Sequence, residues 1–161
     1  MFFFDHGSRD RVFPGSLQGR DSGLHDMSAY YALDRRERLQ TDVPWVWKSP
    51  LGRDVLDALA ALSYGKCPFC EQADRRLQPY RFRPPAYATP MKRPEDRECY
   101  LWLAFQWENL FPICEGCLPQ DKAYFPVDGP RAAPPPSSLA PFGTAGLQID
   151  ETPRLYFPGE V

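Results

Sequence analysis

Apolar residues recur at helical spacing most clearly between residues 49 and 65. Leu51, Val55, Leu59 and Leu62 fall three or four positions apart and are joined by Leu56, so a helix with one buried stripe is predicted there. Ser49 suits the capping position and Pro50 the first helical position, and Gly65 stands where a left-handed residue ends a helix. A second apolar block, Glu98 to Leu110 (ECYLWLAFQWENL), reads as a helix or a series of helical turns. Tyr100, Leu103 and Trp107 share a face, and Leu101, Trp102 and Phe105 widen it into a band whose simplest use is a core. Ser28 to Leu39 predicts a short helix with Tyr30 and Leu33 on its apolar edge, its run Asp34-Arg35-Arg36-Glu37-Arg38 forming a solvated face. Val43, Trp45 and Trp47 alternate within residues 41–48, but Pro44 interrupts them, so an extended segment is expected. Arg81-Phe82-Arg83, just before Pro84 and Pro85, reads as the edge of a short hairpin, and Leu147 to Ile149 as one late strand.

The polar stretches set the boundaries. Residues 1–25 are rich in Gly, Ser, Arg and Asp with little periodicity, and residues 132–141 (AAPPPSSLAP) form a proline-rich linker. The predicted organisation is an N-terminal arm with a short helix at 1–48, a central α+β domain at 49–132 and a proline-rich tail at 133–161. With 43% hydrophobic and 25% charged residues in 161, one core of ordinary size is affordable, while 19 prolines favour irregular connections. A net charge of −2 excludes a general polyanion binder and confines nucleic-acid contact to a local patch. No apolar run approaches the ~18 residues of a membrane span. Phe2-Phe3-Phe4 meets Asp5 and His6 too soon to be a signal-peptide core, so a cytoplasmic protein with reduced thiols is expected.

That expectation gives meaning to the cysteines. Cys67-Pro68-Phe69-Cys70 and Cys114-Glu115-Gly116-Cys117 are two C-x-x-C pairs separated by the 43 residues 71–113. Together they supply four thiolates, a complete tetrahedral shell for one structural zinc ion. A lone C-x-x-C reads as a redox motif and two disulfides suit a secreted domain, but two pairs in one reduced chain favour metal. Cys99 is left over and reads as a small buried hydrophobe. Between the pairs lies a basic strip, with Arg75, Arg76, Arg81, Arg83, Lys92 and Arg93 as candidate phosphate contacts. A solvated or internally paired surface is the equal alternative, since Glu71, Asp74, Glu95 and Asp96 stand among them.

From Cys67 onward the chain resembles an HNH-endonuclease family, and within it the small HNH proteins that accompany ATPases in Septu and retron anti-phage defence systems. The resemblance is carried by Cys67-Pro68-Phe69-Cys70-Glu71, by Tyr100-Leu101-Trp102-Leu103-Ala104-Phe105-Gln106-Trp107-Glu108-Asn109-Leu110, and by Phe125-Pro126-Val127-Asp128-Gly129-Pro130-Arg131-Ala132. It covers residues 64–132. It implies a ββα-metal core stapled by the four-cysteine zinc, with a histidine base, an orienting asparagine and a catalytic magnesium or manganese ion. The family's E-H-F-R-P-K becomes Tyr80-Arg81-Phe82-Arg83-Pro84-Pro85, so the base position is Arg81, a guanidinium that does not take a proton from water. Asn109 keeps the asparagine position, while the metal-ligand position after the second pair is Leu118, which offers no lone pair. His6 and His25 both fall in the N-terminal arm, and Asp121 is an isolated carboxylate, so little supports a catalytic cation.

The resemblance therefore implies an HNH-like zinc module that has lost catalysis. It would serve as a subunit of a larger complex, with an ATPase among the candidate protein partners, or would bind DNA or RNA. An active metal-dependent nuclease with a rearranged site and an unrelated zinc-ribbon interaction protein are the alternatives.

Overall fold

The computed structural model describes residues 14–17, 23–42, 51–73, 76–91, 98, 100–129, 131 and 152–153. Helices α1 (Gly23–Ala32), α2 (Arg35–Gln40) and α3 (Leu51–Leu62) precede a two-stranded antiparallel sheet of β1 (Leu77–Arg81) and β2 (Leu110–Cys114). A smaller antiparallel pair joins β3 (Val127–Asp128) to β4 (Thr152–Pro153). Helices and small antiparallel sheets are thus combined, as the α+β expectation has it. Among the described residues no α-helix follows β2, and no helix is long and apolar enough to cross a membrane.

The α3 stripe is the reason the helix is there. Val55 and Leu59, one turn apart, are fully buried, and Ala58 and Leu62 pack beside them. Burying each of the first two stabilises the fold by about 1.5–3 kcal/mol. Leu56 is only half-buried. The helix ends differently from the expectation. The Gly65 N–H bonds to the Ala60 carbonyl at 2.8 Å and the Tyr64 N–H to Ala61 at 3.3 Å, so the residue just past the cap is Tyr64. Tyr64 itself is left-handed at φ 53°, and Gly65 follows at φ 69°. The Ser49–Pro50 cap and most of the extended 41–48 segment, with both its tryptophans, lie outside the described residues, as do Leu147–Ile149 and Cys99.

The single helix predicted at 28–39 is two. Residues 23–25, expected to be irregular, begin α1, and the chain breaks at Leu33-Asp34 because Asp34 caps a new helix. Its Oδ1 accepts from the Glu37 N–H at 2.8 Å, and the Glu37 carboxylate accepts from the Asp34 N–H at 2.9 Å, a reciprocal capping box. Arg35, Arg36 and Glu37 are exposed as expected, but Arg38 turns inward. Its Nη1 donates to the Leu33 carbonyl at 2.8 Å, and its Nε lies 3.5 Å from Glu98, which also accepts from the Tyr30 hydroxyl at 2.7 Å. Leu17, Met27, Tyr30 and Tyr31 then join the same core as Val55, Leu59, Tyr100 and Trp107, so part of the expected arm packs into the central core.

Residues 98–110 form turns rather than an α-helix. Leu101–Leu103 and Trp107–Asn109 are 3₁₀ turns separated by an extended Gln106. All seven residues from Leu101 to Trp107 are buried. Tight turns wound through the interior bury them all.

Antiparallel pairing sets Leu77 opposite Cys114, Pro79 opposite Pro112 and Arg81 opposite Leu110. The Phe82 N–H donates to the Asn109 carbonyl at 2.9 Å, which fixes the alternation. Residues 78, 80 and 82 are the hydrogen-bonded positions, so the two prolines face each other where no inter-strand N–H is needed. Helix α3 packs against both strands. A row of rings, Phe69 with Tyr80 and Phe111, then Phe82, Phe125 and Tyr100, runs from the first cysteine pair to the core at centroid distances of 5.4–6.2 Å.

Candidate metal centre

Both cysteine pairs sit at element ends, where the backbone turns and its N–H groups point at sulfur. The first follows the α3 terminus. Its turn is closed by the Glu71 N–H on the Cys67 carbonyl at 2.7 Å, with Glu71 left-handed at φ 58°. The second begins at the last residue of β2 and continues as the 3₁₀ turn Glu115–Cys117. Sheet register therefore decides the meeting: Cys114 is delivered opposite Leu77, beside the first turn.

All four sulfurs lie within 4.8 Å of one another, and Cys70 Sγ is 3.7 Å from Cys114 Sγ. A tetrahedral shell with metal–sulfur bonds of about 2.3 Å has sulfur–sulfur edges of about 3.8 Å. Cys67, Cys70, Cys114 and Cys117 are thus close enough to bind one metal ion, and they are not disulfide-bonded. Cys67 and Cys114 are buried, Cys70 and Cys117 half-buried, and Ile113, Leu77, Tyr80 and Leu118 wall the cluster.

The electrostatics suit a cation. Burial pushes the Cys67 thiol up, but the N–H groups of Cys114, Cys70 and Phe69 outweigh it and bring the thiol down to about 7. The Cys114 N–H lies 3.5 Å from that sulfur. Burial pushes Cys114 and Cys117 up; Cys70 and Cys67 raise Cys114 further against an opposing contribution from Cys117, and at Cys117 the negative charges of Cys67 and Cys114 add repulsion. A divalent ion removes that repulsion, and no nearby basic residue is needed for it.

Of the other predicted site residues, Arg81, Asn109 and Leu118 make contacts within the fold. Arg81 is not turned toward a phosphate: its Nε donates to the Ala104 carbonyl at 2.6 Å and its guanidinium lies 5.2 Å from the Phe105 ring centre. Burial pulls its pKa down to about 9, so it remains a cation at neutral pH and is no base. Asn109 is buried and bonded to main chain on three sides: Oδ1 accepts from the Arg83 N–H at 2.8 Å, while Nδ2 donates to the Arg83 and Leu103 carbonyls at 3.0 and 3.1 Å. Leu118 packs on the cysteine cluster. Arg83 is half-buried with its guanidinium 5.6 Å from the ring centres of both Phe82 and Phe125, and Arg76 is exposed. Arg75, Lys92, Arg93 and His6 lie outside the described residues. His25 lies on α1 rather than in an irregular arm, and is exposed. Asp121 shapes its own turn, accepting from the Ala123 N–H at 2.9 Å and the Thr89 hydroxyl at 3.2 Å.

Arg131 has a role that the sequence pattern did not indicate. Its guanidinium donates to the carbonyls of Phe125, Ala88 and Pro90 at 2.8, 3.2 and 3.0 Å and to the Tyr100 hydroxyl at 3.3 Å, lying 5.6 Å from that ring. Three separate chain segments are tied by one planar group. The only sequence signal was an arginine just past Phe125-Pro126-Val127. Comparison with protein-family models, curated proteins and solved structures returned no match for this chain.

Proposed function

We propose that this chain is a zinc-stapled, HNH-like module without nuclease catalysis, acting as a subunit of a larger assembly. The observation that carries the reading is Arg81. At the position where the resembling family has its general base, this chain has a guanidinium held by a core carbonyl and an aromatic ring. Two further positions support it in the same way, Asn109 bonding main chain and Leu118 lining the cysteine cluster. Each residue that would take part in chemistry is used for folding instead. Zinc is the metal proposed because four thiolates at tetrahedral spacing form a closed structural site with no open position for substrate. Assembly is favoured over nucleic-acid binding because Arg81 and Arg83, the centre of the expected phosphate strip, engage rings and main chain.

The test uses purified full-length protein with supercoiled plasmid and single-stranded DNA in Mg²⁺ or Mn²⁺. Both substrates should stay intact. Cleavage that co-elutes with the protein and is abolished by EDTA would overturn the reading. Tight DNA binding that weakens with salt and is lost in Arg76→Ala/Arg83→Ala would replace assembly with nucleic-acid recognition.

A further inference from the structure

The four cysteines differ in exposure. Cys67 and Cys114 are buried, whereas Cys70 and Cys117 are half-buried. The Cys67 sulfur is engaged by the Cys114 N–H, and the half-buried Cys70 sulfur faces buried Cys114 at 3.7 Å across the gap between the two pairs. An oxidant arriving from solvent can meet Cys70, and its resolving partner already stands beside it on the opposite turn.

We propose that the cluster is a peroxide-sensitive switch in which Cys70 and Cys114 close a disulfide and release the metal. The proposal rests on the zinc-stapled reading. The Cys70 thiolate attacks a peroxide oxygen and the O–O bond breaks. The sulfur becomes a sulfenic acid, and hydroxide leaves, taking a proton to become water. The Cys114 thiolate then attacks the Cys70 sulfur, forming the S–S bond and expelling a second hydroxide, which also becomes water. Two thiolates lose two electrons in all, and the peroxide gains them. The ion, left with Cys67 and Cys117, has half its shell and departs. The new bond links the end of β2 to the turn after α3, the same two points that the metal joins, so the fold keeps its staple when the metal leaves. A bridge within one pair, Cys67 to Cys70 or Cys114 to Cys117, would leave the two pairs unlinked, and Cys70 to Cys117 would leave Cys114 out.

Metal content of the purified full-length protein is measured first. Protein without zinc defeats the zinc reading, and zinc that is present but not released defeats only the switch. Zinc-loaded protein is then titrated with hydrogen peroxide, with release followed by a chromogenic chelator and bridges mapped by non-reducing peptide mass analysis. The expected result is one zinc released per chain with a Cys70–Cys114 linked peptide, and uptake of zinc again after dithiothreitol. Met91 is half-exposed and serves as an internal gauge of oxidant dose. Conversion of Met91 to its sulfoxide with zinc still bound overturns the proposal, and so does any bridge other than Cys70–Cys114, one to Cys99 included. Cys99→Ser should release zinc at the same peroxide dose as the native protein, and loss of the response in that variant also overturns it.

Discussion

Asn109 joins the turn after β1 to the core through three hydrogen bonds, and Asn109→Ala measures what they contribute to folding. The substitution removes three hydrogen bonds and leaves the Arg83 N–H, the Arg83 carbonyl and the Leu103 carbonyl without the partner they have now. The two hydrogen bonds to the Arg83 main chain are partly buried, and each of those losses should cost about 1 kcal/mol, near the net worth of an ordinary hydrogen bond. Leu103 is 4% exposed, but its carbonyl keeps the Gln106 N–H at 3.1 Å, so this third loss should also cost about 1 kcal/mol. The sum is about 3 kcal/mol, a large share of the stability of a small domain. Buried Trp102 and Trp107 report unfolding by fluorescence in a urea titration of the zinc-loaded protein. With a slope of about 2 kcal/mol per molar urea, the midpoint should fall by about 1.5 M. Asn109→Asp should be at least as costly, because it turns an acceptor toward two carbonyl oxygens. A midpoint shift below about 0.5 M, under a third of the expected value, would refute the argument. It would mean that these contacts do not hold the turn after β1 to the core.

Three further outcomes follow from the geometry. Arg131→Lys should destabilise by about 2 kcal/mol despite keeping the charge, since an ammonium lacks the planar fork that reaches four acceptors, and thermal melting checks it. Cys70→Ser should lose the metal and become sensitive to protease, because structural zinc contributes on the order of 10 kcal/mol in small finger peptides; elemental analysis and limited proteolysis read both. Metal affinity should rise with pH between about 6 and 8. Cys114 and Cys117 are pushed up and hold protons at neutral pH in the metal-free form, so binding expels them, and each proton expelled adds about tenfold in affinity per pH unit. Chelator competition at several pH values measures this, and a flat profile would count against thiol ligation.

What the sequence made visible was local. The α3 stripe and the two cysteine pairs are defined by spacing alone, and spacing survives whatever the rest of the chain does. Asp34 and Glu37 were equally local and readable as a capping box, but the charged run between them suggested one continuous solvated face. Strand β2 was hidden because Leu110-Phe111-Pro112 follows an apolar block and contains a proline, a combination that discourages a strand assignment. Only the pairing partner reveals that Pro112 faces Pro79. Residues 101–107 misled for a related reason, since a block apolar on every side carries no period that distinguishes a helix from buried turns. The roles of Arg81, Asn109 and Arg131 depend on carbonyls between 6 and 43 positions away, and no local pattern encodes such a contact.

The facing prolines have a consequence for how this protein meets others. At a position without inter-strand hydrogen bonds, the main chain of each strand points away from its neighbour, toward the open edge of the ribbon. Three residues of β2 point that way: Leu110, Pro112 and Cys114. The Leu110 N–H is taken by the Trp107 carbonyl, Pro112 has none, and the Cys114 N–H is directed at the Cys67 sulfur. That border offers an incoming strand no main-chain donor, only carbonyl acceptors, which makes β2 a poor template for the edge-to-edge growth that leads from two-stranded ribbons to aggregates. On this side an added strand would find only carbonyl acceptors, so recognition by side chains is favoured over strand addition.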